Sequence, residues 1–84
     1  MWIRSQDKKR LVKCMFFEIG QKTPTIYGYT INDCFTLGTY SSEENALKVL
    51  DMIQEHITNM YIGTSNYMGK PFQMPADEEA KLWC

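Results

Sequence analysis

Histidine occurs once in this chain, at position 56, and cysteine three times, at 14, 34 and 84. Structural zinc usually takes four ligands at short, paired spacings. A Cys14/Cys34/His56 group is the only arrangement left, and nothing in its spacing supports it, so no metal or other cofactor is expected. An odd number of widely separated cysteines without a CxxC pair is not a disulfide framework. The five glycines are scattered, which leaves neither a P-loop nor a G-x-G-x-x-G turn. The apolar runs are a few residues long, far short of the roughly 20 that span a bilayer, so no membrane partner is expected. There is no N-x-S/T sequon, no recognisable signal peptide, no internal repeat and no low-complexity linker. Together with the cysteine usage this predicts a protein of the reducing cytoplasm.

What is present is a foldable composition: 84 residues, 44% hydrophobic, 13% aromatic and 23% charged, too apolar for disorder. One small domain of this length buries roughly 60–65% of its unfolded surface, with little volume for a deep cavity. Net charge is −1, yet the charges are sorted. Residues 1–13 hold Arg4, Lys8, Lys9, Arg10 and Lys13 against Asp7 alone. Residues 41–57 hold Glu43, Glu44, Asp51 and Glu55 against Lys48, and the tail holds Asp77, Glu78 and Glu79 against Lys81. Such asymmetry marks either a binding face or two solvated surfaces.

Short strand-like segments fill residues 1–40. Trp2–Ile3 and Leu11–Val12 flank the polar turn SQDKKR. CMFFEI, IYGYTI and FTLGTY follow, separated by the turn signals GQKTPT and NDC. Gly28, inside one of these segments, points to a bulge or a close backbone approach. The period then changes. Ala46, Leu47, Val49, Leu50, Ile53, Ile57 and Met60 recur at three and four residues, the mark of one helical face, with Lys48, Asp51 and Glu55 opposite. Ser41 with Glu44 fits a capping box at the start, and burial of Val49, Leu50, Ile53 and Ile57 is worth about 1.5–3 kcal/mol each. The expected fold is α+β: a meander of about four short antiparallel strands (1–40), an amphipathic helix (42–60) packed on the sheet, a loop (61–70), and a short edge strand with an acidic tail (71–84). Gly63 is the expected helix C-cap, Pro75 opens a last helical turn, and Trp83 anchors it.

Candidate catalytic residues are few. Nucleophilic chemistry needs Ser or Cys beside a base. His56 is the one base of the common type, and its neighbours Glu55 and Ile57 place it on the surface near the helix end. Ser41 and Ser42 are explained by capping, while Cys14 and Cys34 read as small hydrophobes in apolar strands. The adjacent carboxylates Glu43/Glu44 and Glu78/Glu79 lack the shielding that acid–base work requires. No catalytic residue is expected. Two binding readings remain. In the first, aromatic and methionine side chains at Tyr61, Tyr67, Met68, Phe72 and Met74 form a protein contact segment, with strand pairing at the edge offering a route to a homodimer. In the second, Arg4, Lys8, Lys9, Arg10 and Lys13 track the phosphates of a single-stranded nucleic acid whose bases stack on Phe17, Tyr27 and Tyr29. The sequence pI of about 5.7 weighs against the second.

At MWIRSQDKK, LGTYSSEENALKVLDMIQEHI and FQMP the chain resembles a group of small uncharacterised proteins of Gram-positive bacteria and their prophages, which share the MWIRSQDK opening, the LG-x-Y corner before an acidic-start helix, and an MP-acidic end. Residues 14–34 do not match. The resemblance implies a bacterial or phage cytoplasmic setting and a fold, and it carries no catalytic residues. The resulting functional expectation is a non-enzymatic interaction module with a protein partner, an adaptor or inhibitor, with single-strand nucleic-acid binding as the alternative.

Overall fold

The computed structural model describes residues 1–61 and 71–82, and the side chains of 1–59 and 71–80. The fold is α+β. Five strands precede the main helix: β1 (Trp2–Arg4), β2 (Leu11–Lys13), β3 (Phe16–Ile19), β4 (Thr25–Tyr29) and β5 (Cys34–Thr39). Then come α1 (Glu43–Tyr61), the two-residue β6 (Phe72–Gln73) and α2 (Asp77–Leu82). The strands divide between two three-stranded sheets, ordered β2-β1-β6 and β3-β4-β5. All pairings are antiparallel except β1 with β6, which is parallel. The late strand therefore lies at a sheet edge, as expected, but beside the first strand of the chain.

The first hairpin turns through SQDKKR, and this segment is more than a solvated loop. Ser5 is buried. Its hydroxyl donates to Asp7 Oδ1 at 2.6 Å and accepts from the Arg10 N–H at 3.1 Å, while Lys9 N–H donates to the same Asp7 oxygen at 3.0 Å. Lys8 takes the left-handed conformation, φ 67°, which this tight return requires. Gln6 clips the loop to the rest of the body. Its N–H donates to Leu37 C=O at 2.7 Å, its Oε1 accepts from Thr39 N–H at 3.0 Å, and its Nε2 donates to Pro75 C=O at 3.3 Å. From the other side, Gln73 Nε2 donates to the carbonyls of Ser5 and Met74 at 2.9 and 2.8 Å.

The inner faces of the sheets and the helices enclose one core, with Ile3, Ile26, Leu37, Val49, Ile53 and Met74 its largest fully buried side chains. The buried stripe of α1 runs Ala46, Val49, Ile53, His56. It is rotated from the purely apolar stripe: Leu50 and Ile57 are half-buried and Leu47 is exposed. Two polar residues account for the difference, because each has a contact on the inner side. Asn45 donates from Nδ2 to Ser41 Oγ and to Asp77 Oδ1, both at 3.1 Å. His56, expected on the surface, is only 8% exposed and meets the Phe72 ring edge-on at 5.4 Å.

The cap of α1 also moves by one residue. Asn45 N–H donates to Ser42 Oγ at 3.1 Å and Ala46 N–H to Ser42 C=O, so Ser42 is the N-cap and no capping box involving Ser41 and Glu44 forms. Ser41 has another function: its N–H donates to Asp77 Oδ1 at 2.8 Å, tying the start of α1 to the start of α2. Ser42→Ala is expected to cost about 1 kcal/mol, read as a shift in the urea midpoint. An unchanged midpoint would show that the cap contributes nothing. In α2, Ala76 caps instead of a hydroxyl residue, and Glu79 Oε1 reaches back to the Ala76 N–H at 3.0 Å, the reciprocal half of a capping box.

Tyr40 sits where the two helix starts meet. It is buried, and its hydroxyl donates to Pro75 C=O at 2.8 Å. Burial, then the charges of Asp77 and Glu79, push its phenol well above the ordinary value. The neutral form is thus favoured in the folded state. The contribution is complete below pH about 10 and is lost as pH rises toward the folded-state value. A urea series from pH 8 to 11.5 should show stability falling above pH 10, with a shallower fall in Tyr40→Phe. Equal slopes would place the alkaline sensitivity elsewhere.

Candidate interaction surface

Side chains alternate across a strand, and the register fixes what each outer face presents. In the first sheet Ile3 points inward and Trp2 and Arg4 point out. Trp2 lies opposite Lys13, and Arg4 opposite Leu11. All four are exposed, Trp2 by 45%. The hairpin thus displays a tryptophan and a leucine interleaved with two cations, and Lys8 and Lys9 stand exposed at its tip.

In the second sheet Phe17 opposes Gly28, and Ile19 opposes Ile26, on the inner side; Phe16 opposes Tyr29, and Glu18 opposes Tyr27, on the outer side. Phe16 is 55% exposed, and its ring stacks on Tyr29 with centroids 4.4 Å apart and planes 6° from parallel. The Tyr29 hydroxyl donates to the Glu18 carboxylate, which pushes the phenol up, with Cys34 contributing next.

The two outer faces meet along one strand path. Cys14 N–H donates to Met1 C=O and Met15 N–H to Tyr29 C=O, so the chain passes from pairing with the first sheet to pairing with the second without a break. Met15 and Phe16 both face Tyr29, as in a bulge. Only Cys14 turns inward here, while Lys13, Met15 (68% exposed) and Phe16 stay outside. Beside this junction lies an open depression of about 720 Å³, lined by Lys13, Met15, Thr30, Ile31 and Asp33 among others.

The expected site residues are redistributed. Arg4, Lys8, Lys9, Arg10 and Lys13 are all exposed, but Arg10 pairs with Ser5 on the other side of the hairpin and lies over the Phe35 ring, 5.6 Å from its centroid. Of the expected stacking residues, Phe17 packs against the core, and the half-buried Tyr27 ring lies over Gly20, where an added Cβ would come within 2.8 Å of it. Tyr29 remains on the surface, joined by Trp2 and Phe16, which the sequence reading did not select. The alternation of Trp2 and Arg4 about Ile3 is the signal that would have found the first.

Met74, expected as a partner contact, is 1% exposed and part of the core; the hydrogen bond from its N–H to Arg4 C=O at 2.9 Å extends the β1–β6 pairing and draws it inward. Phe72 is half-buried against His56. Tyr67 and Met68, the Tyr61 side chain, Trp83 and the Gly63 cap lie outside the described residues. Cys14 is buried, as read, and burial raises its thiol pKa. Cys34 is exposed and is not a core hydrophobe.

Acidic side chains occupy the helical layer: Glu43, Glu44, Asp51 and Glu55 are exposed along α1, and Glu78 and Glu79 along α2. Among the described residues no group of three or more His, Cys, Asp or Glu side chains is placed to hold a metal ion, and no helix is long and apolar enough to cross a membrane. No family model, curated protein or solved structure matches this chain.

Proposed function

We propose that the chain is a small non-enzymatic interaction module, an adaptor or inhibitor of the bacterial or prophage cytoplasm, that acts through the outer face of its two sheets. The observation that supports this reading is the exposed strip Trp2, Leu11, Lys13, Met15 and Phe16. Its apolar members are of types more often covered, and aromatic residues, methionine and arginine are enriched where proteins bind partners. The partner presents negative charge beside planar or apolar groups, the complement of Trp2 and Phe16 among Arg4 and Lys13.

The test is comparative capture from a bacterial lysate, with and without nuclease. The baits are the wild type and a Trp2→Ala/Lys13→Glu/Phe16→Ala variant whose circular dichroism and melting match wild type. The expected result is a set of molecules held by wild type and lost by the variant. If both baits retain the same set, the face is not the contact surface and the reading fails.

A further inference from the structure

We infer that the occupant of this face is a single-stranded nucleic acid, an inference that rests on the surface reading above. Three observations converge on that chemistry. First, the charges are separated by layer: Arg4, Lys8, Lys9 and Lys13 are exposed on or at the tip of the first hairpin, whereas the acids of α1 and α2 belong to the helical layer. An overall pI of about 5.7 therefore does not describe the sheet side. The acids near the strip are Asp7, held in its turn by Ser5 and Lys9, Glu18, bonded to Tyr29, and Asp33 at the depression.

Second, the strip offers planar rings. The Phe16–Tyr29 pair is already parallel-stacked, with Phe16 more than half exposed, so an unpaired base can continue the stack. Trp2 supplies a second ring, directly opposite Lys13. Third, Arg4 and Lys13 are interleaved with Trp2 and Leu11 on one face of the first hairpin, and single-strand binders likewise combine phosphate tracking with base stacking. A duplex hides its base faces and cannot use the rings.

Fluorescence anisotropy with a labelled 12-nucleotide single strand, its duplex and a labelled poly-glutamate peptide tests the inference. At ~50 mM salt the single strand should half-saturate below about 100 µM protein. With four phosphate contacts, affinity should fall roughly 50-fold by ~200 mM. Trp2→Ala and Phe16→Ala should each weaken binding at least about 5-fold, Arg4→Glu/Lys13→Glu should abolish it, and Glu55→Gln on the helical layer should leave it unchanged. No single-strand binding at ~50 mM salt, equal affinity for the duplex, or tighter binding of poly-glutamate overturns the inference. In each of those cases the surface reading still stands if lysate capture depends on Trp2, Lys13 and Phe16, and it falls separately if capture does not.

Discussion

Ile53→Asp is expected to leave the chain unfolded at room temperature. Ile53 is 1% exposed and shares one core with Ile26, Leu37, Val49 and Met74. A domain of this size has a stability of roughly 4–13 kcal/mol. The substitution forfeits about 1.5–3 kcal/mol of apolar burial and adds the larger penalty of an unpaired buried carboxylate. Far-UV circular dichroism and urea titration give the readout. The controls are Ile53→Val, which should remain folded at a cost of about 0.5–1.5 kcal/mol, and Leu47→Asp on the exposed side, which should cost less than about 1 kcal/mol. If Ile53→Asp retained a cooperative transition like that of wild type, the packed face of α1 would have to be a different one.

Gly28→Ala should be the next most damaging of these changes, although it adds a single methyl group. A Cβ at this position would stand 2.5 Å from Cys14 Sγ and 2.7 Å from Leu37 Cδ1. Contacts that short require the Cys14 and Leu37 side chains to shift within a packed core, and overpacking of this kind costs about 1–3 kcal/mol, or roughly 5–20 °C in Tm for a domain this small. In a Cys14→Ala background one of the two clashes is gone, so the added cost of Gly28→Ala should shrink. A coupling of at least about 0.5 kcal/mol between the two changes is expected. Strict additivity would mean that the Cys14 thiol is not what excludes a side chain at position 28.

Gly28 also shows how far local reading reaches. A glycine inside IYGYTI signals a bulge or a close approach, and both are found, at different places. The close approach is at Gly28 itself. The register irregularity lies one step away, between Ile26 and Tyr27, where Leu37 is the additional residue on β5. The alternating segments became strands and the three-four period became a helix because those patterns depend on neighbours two to four residues apart.

The errors share one cause. His56 is expected on the surface from its neighbours Glu55 and Ile57, and the apolar stripe leaves Asn45 out, yet each sits inside against a distant group: Phe72 for His56, Asp77 for Asn45. Ser41 looked like the cap because a serine followed three residues later by glutamate is the usual signature, but its N–H is taken by Asp77 and the next serine caps α1. Met74 looked like a surface methionine between prolines until β6 paired with β1. The SQDKKR turn looked like a solvated basic loop, and its Ser5 and Gln6 instead join the hairpin to residues late in the chain.

The sequence alone determined the identity of the elements, the α+β class, the amphipathic character of α1 and the sorting of charge between a basic N-terminal segment and an acidic helix and tail. All of these follow from local spacing. The tertiary structure alone decided that the strands form two sheets, that the stripe of α1 turns toward His56, that Ser42 caps α1, and that Trp2, Lys13 and Phe16 share one exposed strip while Arg10 and Phe17 leave it. These outcomes rest on contacts between residues far apart in the chain, such as Ser41 with Asp77 and Ser5 with Gln73. Short-range periodicity carries no information about which of several compatible partners a strand or cap will meet.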